Sequence, residues 1–263
     1  MKNLPVNVKT TLIFTITAIL VSILTHIEQV PGSYHINYFV DTRSIMAIEN
    51  FYHFFSSVTY AFVGLFGIYI VAVNHKNKDI FHYRIETVIW YCYFLASFST
   101  CFGSIYFHLN PVESRIIWDQ IPSIIMLSCI FSYIIFNWIQ PKAGFIALPI
   151  TIIVGIGSSA YWSYQLNLGN NNMLLFFIFK LSLIVITIMV LKLFNGMYHG
   201  AKYIKWIVIW YIVSLLFKQF DGMFFFVLAR SISGHSLHHL ALAISIYYVI
   251  VYLLNRKKIA PEE

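Results

Sequence analysis

His235 and His239 stand four residues apart in Gly234-His235-Ser236-Leu237-His238-His239. On a helix this spacing sets two imidazoles on one face, a turn apart, which is the geometry of a two-histidine metal clamp. Ser104 and His108 repeat the spacing, and Asp119 follows eleven residues after His108. With His108 as a third ligand, three imidazoles would hold zinc and leave one tetrahedral position for water, the pattern of catalytic zinc. Zinc lowers the pKa of such a water to about 7. Asp119 would serve as general base, and Ser104 would donate a hydrogen bond to the oxyanion of a tetrahedral intermediate.

For these residues to meet, separate segments must deliver them to one place, and the composition says what kind of segments they are. The chain has 263 residues, of which 59% are hydrophobic and 10% charged, and its mean hydropathy is +0.76. A soluble domain carries about 25% charged residues, so lipid must be part of the solvent. A spanning helix needs about 20 mostly apolar residues, and eight stretches qualify: roughly 10–27, 51–73, 86–108, 116–138, 144–164, 173–193, 204–229 and 236–254. The expected fold is an all-α polytopic membrane bundle. The first stretch follows Lys2 and Lys9 as a signal peptide would, but Thr25-His26-Ile27-Glu28 makes a poor cleavage site, so the helix is expected to be retained.

Orientation follows from charge. With the N-terminus inside, the inner segments carry Lys2, Lys9, Lys76, Lys78, Arg84, Lys142, Lys192, Lys202, Lys205, Arg256, Lys257 and Lys258, as the positive-inside rule requires. The net charge of +7 is thereby a matter of topology, and no nucleic-acid partner is expected. Span alternation then brings His108, Asp119, Asp221 and His235 to the same outer face. In a bacterium that face is periplasmic. The outer connection, about 28–50 with Pro31-Gly32, is expected to fold back over the outer mouth.

Other polar residues have plainer readings. His26, His35, His75, His82 and His199 read as interfacial, since single histidines gather at span ends. His53, near the outer end of its own span, competes for a ligand role. His238 points about 100° from His239 on a helix, so it packs, orients a partner or meets lipid headgroups. Lys218 and Asp221 read as a self-neutralising ion pair, with Asp221 also able to hydrogen-bond a ligand histidine. Asn50, Ser56 and Ser57 read as capping or packing polars. Gly155, Gly157, Ser158 and Ser159 read as close-packing positions, and Phe224, Phe225 and Phe226 as packing. Cys92, Cys101 and Cys129 lie in apolar runs without CxxC spacing and read as small buried hydrophobes.

In this order and spacing, the SxxxH of Ser104–His108, the later Asp119 and the HxxxH of His235–His239 resemble the pattern of alkaline ceramidases. The wider superfamily includes adiponectin-receptor-type membrane proteins. The contexts Tyr106-Phe107-His108-Leu109-Asn110-Pro111, Arg115, Trp118-Asp119-Gln120-Ile121-Pro122, Asp41-Thr42-Arg43, Asn50 and Ser56 are similar to the bacterial members, as is Ser233-Gly234-His235-Ser236-Leu237-His238-His239-Leu240. The resemblance runs from about Asp41 to the end of the last span. It implies a seven-helix core over 41–255, an extra N-terminal helix within 1–40 and a basic cytoplasmic tail over 256–263. It also implies zinc on His108, His235 and His239, chemistry by Asp119 and Ser104, and hydrolysis of the ceramide amide to sphingoid base and fatty acid. Eukaryotic alkaline ceramidases carry a calcium-binding acidic cluster with a DWxE-like motif ahead of the first core helix. Here only Asp41 and Glu49 stand there, so calcium is not expected, and another N-acyl lipid is an alternative to ceramide.

Two rivals stand beside this expectation. A lipid-sensing receptor or scaffold would hold zinc structurally, but would need no carboxylate base at Asp119. A metal or proton transporter would need ionisable residues in file across the bilayer, whereas here they cluster at one face and only Lys180 lies deep.

Overall fold

A computed structural model of the chain describes residues 4–27 and 39–259. Lys2, His35 and Pro31-Gly32 lie outside the described residues. The helices are α1 (Val6–Thr25), α2 (Phe51–Asn74), α3 (Arg84–Leu109), α4 (Glu113–Trp138), α5 (Pro141–Asn167), α6 (Leu174–Leu193), α7 (Ala201–Gln219), α8 (Asp221–Val227) and α9 (Gly234–Asn255). Seven of them, α1 to α6 and α9, are each long and apolar enough to cross a bilayer. Their outward faces carry large apolar side chains, with Phe14 75%, Phe62 70% and Ile153 70% exposed. Such surfaces are stable only against lipid. The chain is an all-α, multi-pass membrane protein.

The seventh expected span, 204–229, differs from its expectation. It is two helices, α7 and α8, bent by 84°. The break falls at Phe220, whose φ of −107° and ψ of 37° leave the helical region. Apolar composition cannot reveal such a break, because the residues on both sides remain apolar. At the break α9 approaches closely: a Cβ on Gly234, at its start, would collide with the Phe217 carbonyl oxygen of α7. Beyond α8, Ala229 and Arg230 take positive φ values of 51° and 62°, and this left-handed pair returns the chain to α9.

The chain divides into two compact units, and the division falls within α4. One unit comprises residues 1–33 and 127–198. In it α1 and α5 both pack on α6, and a core cluster joins Ile13 of α1, Ile134 of α4 and Val190, Leu193 and Phe194 at the end of α6. Lys9 lies over the Phe194 ring at 5.0 Å.

The other unit, residues 34–126 and 199–263, holds every candidate site residue. Here α2 packs on α3 and α9, and α9 packs on α7. Ser97 Oγ donates to the Tyr60 carbonyl at 3.3 Å and Ser245 Oγ to the Ile207 carbonyl at 2.8 Å, so polar ties join the apolar seams. At one end of this unit the buried carboxylate of Glu86, in the first turn of α3, pairs with Arg256, the C-cap of α9. Arg256 Nη2 also donates to the Ile80 carbonyl at 2.7 Å. The side chains of both partners are 0% exposed. Arg256 therefore belongs to the interior, although its sequence position groups it with the basic tail.

Candidate metal centre

The other end of the same unit gathers the histidines. His108 lies in the last turn of α3, and His235 and His239 lie in the first turns of α9. All three are buried, and one ring nitrogen from each can be chosen so that all lie within 4.8 Å of one another. Ring centroids are separated by 5.0 Å for His108–His235, 5.3 Å for His108–His239 and 4.8 Å for His235–His239. Neither ring nitrogen of His108 has a hydrogen-bond partner among the described residues. An imidazole buried without partners is costly, and a metal ion bound by the three rings would remove that cost. The group fits a metal that accepts three nitrogen ligands.

The local fold explains why the rings converge. Ser233 caps α9, its hydroxyl accepting from the Ser236 backbone N–H at 3.2 Å. Asp221 Oδ1 accepts from the His235 backbone N–H at 2.6 Å, placing a carboxylate at the positive end of the helix that carries two of the histidines. The expected bond from Asp221 to a histidine thus reaches the backbone. Asp221 Oδ2 also faces the Val40 N–H at 3.5 Å. Asn50 occupies the N-cap position of α2 in a left-handed conformation, φ 49°, and makes no side-chain cap. Its amide instead donates to the His108 carbonyl at 2.8 Å, tying the start of α2 to the end of α3.

Ser56 and Ser57 do more than pack. Ser56 Oγ lies 2.9 Å and Ser57 Oγ 3.3 Å from His239 Nδ1. Both hydroxyls also reach the His53 carbonyl, at 3.2 and 2.7 Å. A carbonyl can only accept, so a hydroxyl that donates there, as Ser57 does at 2.7 Å, leaves its oxygen to accept an N–H from His239 Nδ1. That tautomer leaves the Nε2 lone pair for a metal, the usual arrangement of a ligating histidine held from behind.

Ser104 is buried in the same network, with Oγ 2.9 Å from Ser57 Oγ. Asp119 is half-buried near the start of α4 and accepts from Gln120 Nε2 at 3.3 Å. Its backbone lies against α3 at Gly103, the residue before Ser104. A Cβ on Gly103 would clash with the Trp118 carbonyl and would lie 3.5 Å from the Asp119 Cα. The Tyr60 ring packs 5.4 Å from that of His239.

The competing histidine is present too. His53 is 0% exposed, with its ring 5.2 Å from His108 and 4.8 Å from His235. Phe39 covers this group, with centroids 4.8 Å from His53, 4.9 Å from His108 and 5.0 Å from His235. The connection ahead of α2 thus lies against the histidines where it is described. Its Asp41 pairs with Arg43 at 2.6 Å, and Arg43 donates to the Ser231 carbonyl at 2.8 Å. The Asp41 hydrogen bond raises the Arg43 pKa above its ordinary value.

Of the other described histidines, His238 has its ring 5.6 Å from that of His239, and its Nδ1 bonds the Ser214 carbonyl of α7 at 2.9 Å. The rings of His26 and His75 hydrogen-bond to carbonyls of their own helices, and His82 bonds Lys258. Compared with family models, curated proteins and solved structures, the chain finds no match. Fold and site together define a multi-pass membrane protein with a buried three-histidine group that could hold a metal ion.

Proposed function

We propose that the chain is a zinc-dependent amide hydrolase of membrane lipids, acting on ceramide or a related N-acyl lipid. The observation that carries this reading is the buried triad of His108, His235 and His239, with Asp119 and Ser104 on helices that touch beside it. Three imidazoles suit zinc and leave a position for a non-protein ligand. When bound there, zinc would polarise an amide carbonyl and acidify a water.

The chain's own residues supply the rest. Asp119 takes the proton released by the attacking water and returns it to the leaving amine nitrogen, so that the departing group is a neutral amine. Ser104 turns its hydroxyl from Ser57 toward the substrate carbonyl oxygen. The serine pair holds His239 in its ligating tautomer, and Phe39 excludes water from the rings. Acyl chains reach the site between helices whose outer faces already contact lipid. The basic inner segments favour placing the site near the outer face, which is the periplasmic side of an inner membrane in a bacterium.

Product analysis by mass spectrometry tests the reading. Zinc-loaded protein incubated with a panel of ceramides and other N-acyl lipids should release free amine and fatty acid in equal amounts, and Asp119→Asn should not. Absence of turnover across the panel would overturn it, leaving a receptor or scaffold.

A further inference from the structure

Once three histidines are assigned to the metal, a fourth remains inside the same cluster. His53 is wholly buried, in ring contact with two of the three, and its Nε2 has no hydrogen-bond partner among the described residues. Its Nδ1 lies 3.2 Å from Ser236 Oγ. Ser233 Oγ accepts from the Ser236 backbone N–H and donates to Ser236 Oγ at 3.4 Å. Its own proton left free by Ser233, the Ser236 hydroxyl can donate to His53 Nδ1. The proton of neutral His53 then sits on Nε2.

This is the opposite tautomer from that of His239, whose Nδ1 carries the proton and whose Nε2 carries the lone pair. His239 is set up to ligate, whereas His53 is set up to donate. An Nε2–H group cannot coordinate a metal, and the three ring nitrogens that lie within 4.8 Å of one another are those of His108, His235 and His239. Ser104, by comparison, has its hydroxyl bonded at 2.9 Å to Ser57, whose own proton is directed to the His53 carbonyl. Ser104 must rotate before it can donate elsewhere.

The geometry points to His53 as an anion-stabilising residue. Its Nε2–H donates a hydrogen bond to the non-protein ligand in the metal's fourth position, and during turnover to the substrate carbonyl oxygen as it gains negative charge. This rests on the proposed metal centre and adds a donor to it. It also assigns the Ser233–Ser236 pair a purpose beyond capping α9, namely fixing which nitrogen of His53 carries the proton.

The test uses the full-length protein in detergent, loaded with Co²⁺ in place of zinc and titrated with azide while the visible absorption is followed. His53→Ala should keep about one metal per chain and an unchanged metal-only spectrum, and bind azide about tenfold more weakly, the loss expected for one hydrogen bond to a charged group. His53→Gln, which keeps an N–H donor, should recover part of the affinity. Far-UV circular dichroism and gel filtration confirm that each variant is folded. If azide binds equally well to wild type and His53→Ala, or to neither, the inference is overturned. A fall in metal content or an altered metal-only spectrum in His53→Ala also overturns it, by making His53 a ligand. Failure of the wild type to take up any metal would instead defeat the metal centre itself, a result separable from all of these.

Discussion

Helices α3 and α9 each carry buried polar groups at both ends, and the two ends differ in kind. At one end Glu86 and Arg256 meet as opposite charges, the anion on α3 and the cation on α9. At the other end His108 of α3 meets His235 and His239 of α9, with His53 of α2 beside them. The charged pair is answered within the chain. The imidazoles are not: both nitrogens of His108 and the Nε2 of His53 have no partner among the described residues. Burial of polar groups that satisfy each other is a clamp between helices, whereas burial of ring nitrogens that do not is best understood as preparation for something bound.

If that contrast is right, the largest effects come from removing ligands. His108→Ala and His235→Ala should each reduce zinc, measured by elemental analysis of purified protein, from about one ion per chain to nearly none. Glu86→Gln, at the opposite end, should leave metal content at the wild-type level. Equal zinc in the histidine variants would erase the distinction between the ends.

Asp119→Asn comes next and separates chemistry from binding at the same end. Zinc content should hold, while turnover of an N-acyl lipid falls by about 10²- to 10⁴-fold, the span typical of losing a general base. Loss of the metal along with activity would make Asp119 part of the metal's support instead.

The clamp itself should answer to stability. Glu86→Ala leaves the Arg256 guanidinium buried without its carboxylate, and breaking a buried pair in this way costs about 3–5 kcal/mol. Thermal unfolding in detergent should show a clear drop in midpoint. Replacing both partners with apolar residues of similar volume should recover most of it, since the penalty belongs to the stranded charge more than to the lost attraction. A Glu86→Ala midpoint within error of wild type would mean that water or lipid headgroups reach Arg256.

The two ends were also unequally legible in the sequence. The histidine end announces itself through spacing: His235 and His239 share a helix face by arithmetic, and counting apolar runs is enough to bring His108 and Asp119 to the same face. Its supporting residues are quieter. Ser56 and Ser57 look like packing polars because nothing local distinguishes a serine facing a carbonyl from one facing an imidazole seven helices further along the chain. The clamp was not legible at all. Glu86 opens a span in ordinary fashion, and Arg256 falls in a run with Lys257 and Lys258 that satisfies the positive-inside rule. Only packing shows that the first of these three basic residues turns inward. The break at Phe220 escaped for a related reason, since apolarity persists through it while the close approach there, a glycine at 234 pressed on the Phe217 carbonyl, comes from a different helix.

The smallest effect expected is the one that tests whether the histidine end is organised beyond its ligands. Ser56→Ala removes the nearer of the two oxygens facing His239 Nδ1, at 2.9 Å, and leaves Ser57 at 3.3 Å. The imidazole then loses its better acceptor and part of what fixes its ring. Loss of such outer support typically lowers metal affinity by about 10- to 100-fold, and with a second serine still in reach the lower figure is expected. Competition with a chelator of known affinity measures it, against an unchanged stoichiometry at saturating zinc. Ser56→Thr keeps the hydroxyl and should restore most of the affinity, which separates the hydrogen bond from the packing of the side chain. An affinity in Ser56→Ala equal to wild type would reduce the serine pair to a helix-packing device after all. The organised contrast between the two ends would then rest on His108 and His53 alone.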